Sequence, residues 1–382
     1  MLEGFDKAKD LIFWNRRLLS VVGLWPLESR PTLFYSWMTY SLLHLFLGFA
    51  DLAQVFGNLN SMIGNLGETA YMVMVMAKIF VLRYSSVLRK FMKQVEFNNY
   101  EVGYKNEEER RIYMSYTNSG LRFFVIAIGW SAVTTTVYYL KALRFTFNSE
   151  QPEFPLPFRL RIFFNVTDIA TYYLVYAYEG PVIYIYTCHG IIACFIWSLV
   201  LNVCGQLSVL SFRIKNMTSD VSKTNNRLES TIREIVQKHR EIIWSSSVID
   251  SAFKLALLVE LVVCTVIMGL CMYNIIMNFD FAAINEFLAF FMYIFMMLLV
   301  MYGYCVAGDF LERESLNVQD SYFECDWYNM PLRCQKLILM CMIRAQIPLH
   351  ITGGGFYVFK IESFTSIVKT AAAYGSMLRQ VA

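Results

Sequence analysis

The sequence predicts an all-α membrane protein with seven transmembrane helices, a cytosolic N-terminus and an extracellular C-terminus. Hydrophobic residues make up 57% of the 382 residues and charged residues only 16%, whereas soluble domains contain roughly 45–50% apolar residues. Seven apolar stretches are each long enough to cross a hydrocarbon core of ~30 Å. The segments assigned to the inner side carry 22 Lys and Arg residues and the outer segments carry three, so the positive-inside rule places the N-terminus in the cytosol.

Residues 1–32 predict a cytosolic amphipathic segment ahead of the first span. They mix charged and apolar residues and lack the continuous apolar core of a signal peptide. Their apolar residues recur at helical spacing, which indicates a short helix lying either on the membrane surface or against the protein's own cytosolic part. The dipeptide Trp25-Pro26 ends it. The predicted spans follow at 33–52, 62–82, 121–142, 169–201, 252–277, 284–306 and 356–379.

Residues 33–306 predict a six-helix transmembrane bundle that binds a ligand in its outer half, with cytosolic helical extensions at about 202–251. The outer halves combine aromatic and Met side chains with a few hydroxyl and carboxyl groups, which suits a pocket for a small, mostly apolar molecule. Such residues are also ordinary helix-packing core, and that alternative stays open for each of them. The candidate ligand-binding residues are Glu68, Met72, Trp130, Thr134, Tyr138, Tyr172, Tyr173, Tyr176, Glu179, Phe287, Phe291 and Ile294.

Ionisable side chains inside the spans are functional candidates, because a charge within a membrane is costly. Asp51 and Lys78 lie near the ends of their spans, where we expect them to reach the interface. Glu68 and Glu179 belong to the outward halves of theirs. Pro181 follows Glu179 closely and predicts a kink in the fourth span.

The second outer loop, residues 143–168, predicts an extended path that could cover an outward-facing cavity. Its three proline residues disfavour a helix. Asn165 begins an Asn-Val-Thr pattern, the acceptor pattern for N-glycosylation, on the side of the membrane where it can be used.

The last stretch, residues 356–382, predicts a pore-lining helix that follows a break at three consecutive glycine residues. At ~100° per residue, its polar and small residues gather in one sector, and a polar stripe in a membrane must face protein or water. We expect it to face an ion path, with packing inside its own chain as the alternative. One stripe cannot enclose a pore, so an oligomer follows. The stripe consists of Glu362, Ser366, Lys369, Ala373, Ser376, Met377 and Gln380.

Other function classes find no support in the sequence. The four His residues have no metal-ligand spacing, and no nucleophile elbow or phosphate-binding loop is present. We therefore expect no enzyme, no cofactor and no metal. A net charge of +3 without a basic patch argues against nucleic acid. None of the nine Cys residues lies in an outer loop, so we expect no disulfide bonds.

Three parts of the chain resemble insect odorant receptors. They are NRRLLSVVGLWPL at 15–27, NVCGQL at 202–207 and, most specifically, the region 304–380, which includes YCVAGDFLERES, SYFECDWYNMP and LILMCMIRAQIPLHITGGGFYVFKIESFTSIVKTAAAYGSMLRQ. The length and span placement resemble a ligand-tuned subunit, because the inner loop between the fourth and fifth spans is short compared with that of the coreceptor.

This resemblance implies a non-selective cation channel that an odorant opens directly. Four subunits would surround a pore lined by the last helix, as a hetero-oligomer with the odorant receptor coreceptor in the plasma membrane of a sensory neuron dendrite. Residues 307–355 would form a cytosolic anchor segment, with 332–347 as the first half of span seven. Met377 occupies the position of the family's hydrophobic gate, and Gln380 lies just beyond it. Lys369 would point into the cytosolic-side vestibule or to the subunit boundary.

Two alternatives share parts of this pattern. A gustatory-type ligand-gated channel has the same architecture, but its typical Thr-Tyr and Gln-Phe pattern is not matched here. An unrelated multi-spanning transporter would predict paired broken helices, whereas the sequence shows one break. G-protein-coupled receptors have the opposite orientation.

Overall fold

The computed structural model describes residues 14–28, 30–101, 104, 106–148, 156–164, 166, 168–217, 225–277 and 284–381. Long helices dominate. They are α1 (Pro31–Gln54), α2 (Leu59–Tyr84), α3 (Ser86–Glu101), α4 (Glu107–Asn148), α5 (Ile169–Lys215), α6 (Asn225–Met277), α7 (Ile284–Glu324), α8 (Leu332–Ala345) and α9 (Ile361–Val381), with the short strands β1 (Thr352–Gly353) and β2 (Tyr357–Val358) between α8 and α9.

Six of the described helices, α1, α2, α4, α5, α6 and α7, are long and apolar enough to cross a membrane. They coincide with the first six predicted spans. Helix α9 is not among them, because its polar stripe lowers its hydropathy, although its 21 residues would extend over ~30 Å at 1.5 Å per residue. Several helices continue well beyond the predicted spans. Helix α6 has 53 residues without interruption, so the segment before the fifth span, which the sequence predicts to be a cytosolic helical extension, is continuous with that span.

Helix α5 occupies the centre of the bundle. In its most apolar stretch 83% of the residues are buried, and it packs against α4, α7, α6 and α2. Pro181 lies inside this helix and cannot donate a backbone hydrogen bond. In the turn before it, the carbonyl group of Tyr176 accepts from the Tyr139 hydroxyl and that of Tyr178 from the Tyr40 hydroxyl. Neighbouring helices thus bind the carbonyl groups on either side of Ala177, the residue whose carbonyl Pro181 leaves without its helical donor.

The described part of the N-terminal segment docks on the bundle. Residues 14–21 are helical, and Leu19, Leu24 and Trp25 are almost completely buried. The Trp25 ring meets Phe195 of α5 edge to face at 5.8 Å. Of the two alternatives for this segment, the structure favours packing against the protein itself for residues 14–28; residues 1–13 lie outside the described residues.

A β-hairpin precedes the last helix, where the sequence predicted helix from residue 356 onward. Strands β1 and β2 pair antiparallel, and Gly354 and Gly355 form the turn with φ values of 66° and 84°. Only glycine adopts such angles readily. The predicted start of the last helix is therefore wrong by five residues, since α9 begins at Ile361.

In the inner part of α6, His239 is a packed residue. Its ring lies 5.8 Å from that of Tyr322, and burial lowers the pKa of His239 to about 4. The ring is consequently neutral at neutral pH. No group of three or more potential metal ligands occurs among the described residues.

Candidate functional site

The second outer loop enters the bundle at Phe158. This side chain is 2% exposed and stacks on Tyr138 of α4 at 5.6 Å, with Tyr186 of α5 at 5.4 Å in an edge-to-face arrangement. His44 of α1 lies at 6.2 Å. The described part of the loop thereby packs on α1, α4 and α5, and residues 156–164 form no helix, as the proline residues predicted.

Two carboxylates hold this loop through its backbone. Glu68 of α2 accepts from the backbone N–H of Arg159 at 2.7 Å and from the Tyr138 hydroxyl at 2.6 Å. Glu179 of α5 accepts from the backbone N–H of Phe158 at 3.0 Å. These hydrogen bonds compensate for placing the carboxylates inside the membrane-spanning bundle. We call Glu68, Tyr138, Phe158, Glu179 and Tyr186 the outer cluster.

Several polar atoms of the candidate pocket residues and of nearby side chains are buried without a partner in the described structure. The atoms relevant to the candidate pocket are Trp130 Nε1, Thr134 Oγ1, Tyr178 Oη, Glu179 Oε1 and His44 Nδ1. Two of them, on Trp130 and Thr134, lie one turn apart on the same face of α4. Native interiors satisfy most buried polar groups, so we expect water or a ligand to supply partners for these atoms.

The polar stripe of α9 points away from its own chain. Ile367, Ala371 and Gly375 are buried against the rest of the protein, and α9 packs mainly on α6 and also on α7. The opposite face is exposed along the helix, and Met377 is 62% exposed. Packing inside its own chain, the alternative considered from the sequence, is not what this chain shows. The exposed stripe residues are Glu362, Ser366, Lys369, Ala373, Ser376 and Met377.

Helices α6 and α9 cross at a pair of glycines. A Cβ atom on Gly375 would lie 3.2 Å from the carbonyl oxygen of Gly269, and one on Gly269 would lie 3.1 Å from the Cβ of Tyr374. Small residues at such a crossing let two membrane helices approach closely.

Polar contacts fix the start of α9 on α6 and α7. Asp250 accepts from the backbone N–H and the hydroxyl of Thr352 at 2.7 and 2.8 Å. Lys360 forms an ion pair with Glu312 at 2.7 Å. The base of α9 is therefore held by side chains from both neighbouring helices.

Comparison with known sequences decides the family. The profile of the family described as 7tm odorant receptor matches residues 58–372, which is most of the chain. The chain belongs to the odorant receptor family. As a member it is a receptor with multiple membrane spans.

Relatives of this odorant receptor include numbered odorant receptors and odorant receptor coreceptors. Odorant receptor 13a of Drosophila melanogaster is 22% identical over 95% of this chain and 94% of its own length. The odorant receptor coreceptor of Ooceraea biroi is 23% identical over 40% of this chain and 32% of its own. Several other curated relatives match over about half of their length.

Two solved structures have the same fold. They are those of the olfactory receptor OR5 from Machilis hrabei, one of them in complex with eugenol. The complex has a TM-score of 0.80, with 16% identity over 98% of this chain and all of that chain. The other structure of this receptor has a TM-score of 0.82, again with 16% identity, over 99% of this chain and all of that one.

The structure brings some of the odorant receptor's candidate ligand-binding residues together and separates others. Glu68, Tyr138 and Glu179 meet around Phe158. Met72 is 1% exposed, while Trp130, Thr134 and Ile294 are partly buried. The Trp130 ring packs on Phe295 of α7 at 4.6 Å.

Other candidates lie away from the outer cluster. Tyr172 and Tyr176 belong to a separate buried cluster between α4 and α5, and the Tyr176 hydroxyl donates to the carbonyl group of Tyr139. Tyr173 and Phe291 are 44% and 50% exposed at the surface of the chain, because they lie on outward-facing sides of α5 and α7. The structure does not describe three of the predicted site residues. They are Asn165 and, for their side chains, Phe287 and Gln380.

The prediction for Lys78 is wrong. Its side chain is completely buried instead of reaching the interface, and it forms an ion pair with Glu260 of α6 at 2.8 Å. Glu260 was not singled out from the sequence, although a carboxylate within a strongly apolar span is a visible signal. Phe158 carried no such signal, because its role depends on how the loop folds over the bundle.

Proposed function

We propose that this odorant receptor is the ligand-tuned subunit of an odorant-gated, non-selective cation channel. It would assemble with the odorant receptor coreceptor as a heterotetramer in the plasma membrane of sensory neuron dendrites. The 7tm odorant receptor family and the full-length similarity to a numbered odorant receptor, against a partial match to a coreceptor, support the tuned role. They favour it over a gustatory-type channel or a transporter.

The observation that carries the ligand-binding part is the set of unpartnered polar atoms on Trp130, Thr134, Tyr178, Glu179 and His44. Among these residues, Glu179 belongs to the outer cluster and the His44 ring contacts Phe158. A buried polar group without a hydrogen bond costs ~1–3 kcal/mol by mutational measures, and this cost falls when a ligand supplies the missing partner. The aromatic side chains around these atoms would bind the apolar part of a small volatile molecule. The ligand in the solved structure of one relative is eugenol, a molecule of this size.

The observation that carries the channel part is the exposed polar face of α9. In an oligomer, such faces from several chains would surround a hydrated path for cations, with Met377 as the hydrophobic constriction. The odorant would favour the arrangement in which α9 has moved outward, and the pore would open by a shift of populations. Lys369 on this face lies deeper than Met377, toward the cytosolic side.

The direct test is electrical recording from cells that express this chain with the coreceptor. A panel of volatile phenols, alcohols, ketones and esters, with eugenol included, should contain compounds that evoke cation currents. Cells that express the coreceptor alone are the control and should not respond to the same compounds with the same preference. A chain that reaches the surface with the coreceptor and yet adds no response to any compound would contradict the proposal.

A further inference from the structure

Four side chains from four helices form a completely buried polar group below the outer cluster. Lys78 of α2 lies 2.8 Å from Glu260 Oε1 of α6, 3.1 Å from the Tyr304 hydroxyl of α7 and 3.2 Å from His189 Nδ1 of α5. None of the four is more than 1% exposed. We call these residues the buried tetrad. It joins four helices through side chains that are far apart in the sequence.

The tetrad is not explained by stability alone. Burying two charges costs hydration free energy, and the attraction between the charges only about offsets that cost. An apolar pair of similar volume is therefore often equally stable. An ion pair differs from an apolar pair because it requires one particular alignment of the groups, as does each hydrogen bond around it. The tetrad therefore fixes how α2 and α5 stand against α6 and α7.

Aromatic rings connect the outer cluster to the tetrad. The Tyr186 ring, which contacts Phe158, also meets Tyr71 at 4.9 Å between centroids. The Tyr71 ring in turn lies 5.0 Å from that of His189. The rings therefore form a continuous packed path from Phe158 to His189, which lies beside Lys78 of the ion pair. A displacement of the Phe158 side chain would push on this path.

The tetrad also contacts the elements that carry α9. The Tyr304 ring lies 6.0 Å from that of Phe359, and the backbone N–H of Phe359 donates to Ile351 in the hairpin that precedes α9. Glu260 is two and a half turns from Gly269, where α6 crosses α9. Both α6 and α7 thus link the tetrad to the last helix.

We propose that the buried tetrad consists of positioning residues that couple the outer cluster to α9. A ligand that changes the outer cluster shifts α2 and α5, and the ion pair passes this shift to α6 and α7 because it holds only in one alignment. The proposal rests on the proposed function, in which a ligand binds in the outer half and α9 lines the pore.

The test replaces the ion pair by an apolar pair. Lys78→Met with Glu260→Leu removes both charges together, so neither is left unpaired, and the double variant should reach the surface. Each variant is expressed with the coreceptor, and the odorant-panel current is compared with the basal current and normalised to surface protein. We expect the ratio of evoked to basal current to change at least about tenfold, whereas the order of preference among the compounds stays the same because the outer cluster is intact.

A matched control is the pair of Arg213 with Glu109, which joins α5 to α4 at 2.8 Å in the cytosolic part. Replacing it with Met and Leu should leave the current ratio within about twofold, since it lies outside the connection described. Tyr304→Phe is the second variant, because it keeps the ring and the ion pair and removes one hydroxyl group. It should change the ratio at least about threefold.

The outcomes separate the two proposals. If the native chain responds while both the double variant and Tyr304→Phe keep the native ratio, the coupling role is wrong and the proposed function stands. If the double variant does not reach the surface, Tyr304→Phe decides alone, and an unchanged ratio overturns the coupling role. A native chain that carries no current at the surface overturns the proposed function and this inference with it.

Discussion

The Tyr138 hydroxyl links two helices of the candidate ligand site, because it donates to Glu68 across the gap between α4 and α2. The next residue, Tyr139, points elsewhere, and its hydroxyl donates to the backbone of Tyr176. Two neighbouring tyrosines of the same helix therefore offer a matched comparison between the outer cluster and plain helix packing.

Tyr138→Phe should change the response to odorants. A hydrogen bond to a charged group contributes ~1.5–3 kcal/mol, so its loss should shift the half-maximal concentrations of panel compounds by about tenfold, to an extent that differs between compounds. Tyr139→Phe should shift the half-maximal concentrations of all compounds only slightly and by the same factor. Dose–response recordings with surface-protein measurement check this. Equal effects of both substitutions on every compound would exclude a special role for the outer cluster.

At the residue scale, the sequence identifies charges but not their depth. Glu68 and Glu179 stood out as carboxylates in the outward halves of apolar spans, and both bind the outer loop in the structure. Lys78 was misjudged because it lies near a span end in the sequence. Its burial depends on partners that are 111, 182 and 226 positions away, and periodicity in one span carries no information about them.

At the element scale, the close crossing of α6 and α9 depends on glycine at two positions. Gly375→Val would place methyl groups against the Gly269 backbone, because even a Cβ atom added at Gly375 would lie only 3.2 Å from the Gly269 carbonyl oxygen. The added side chain should push α9 away from α6 and disturb the packing that holds it.

We therefore expect Gly375→Val to change the basal current per surface channel at least severalfold. A lower amount of protein at the surface should accompany this change if the displaced helix also impairs folding. Gly129→Val on α4 is the control, because a Cβ at Gly129 meets nothing within 4 Å. Whole-cell recording together with surface labelling measures both quantities. Native currents and native expression in Gly375→Val would show that the crossing has no part in holding α9.

Most helices could be predicted from the sequence, because apolar runs of spanning length and the distribution of Lys and Arg are strong signals. The β-hairpin before α9 could not. Tyr357 and Val358 continue the apolar pattern of the last span, and a two-residue strand leaves no periodicity to detect. The glycine run indicated a break, and the positive φ values of Gly354 and Gly355 show why a turn needs it.

At the scale of the whole molecule, the described helices pack into a bundle that leaves a polar face of α9 uncovered. The face of α9 that carries Ser366, Lys369 and Met377 is exposed, while the opposite face is buried on α6. A membrane helix with such a face needs protein or water beside it. The sequence predicted this stripe from its helical period, whereas the number and arrangement of chains around it cannot be read from one chain.

Chemical modification of α9 tests the central claim most directly. Ser376→Cys and Met377→Cys are each expressed with the coreceptor, and a positively charged, membrane-impermeant thiol reagent is applied from outside during odorant-evoked current. All nine native cysteines of this chain are buried, so its own background should be low, and the native chain with the coreceptor measures the rest. Phe163→Cys, at an outer-loop residue that is 67% exposed, is the control.

If α9 lines the pore, the reagent should irreversibly reduce the current at Ser376→Cys and Met377→Cys, and faster when the odorant is present, because an added charge in the ion path obstructs cations. The Phe163→Cys channel should be labelled without loss of current. Current that persists unchanged after proven labelling at both α9 positions would contradict a pore along this face.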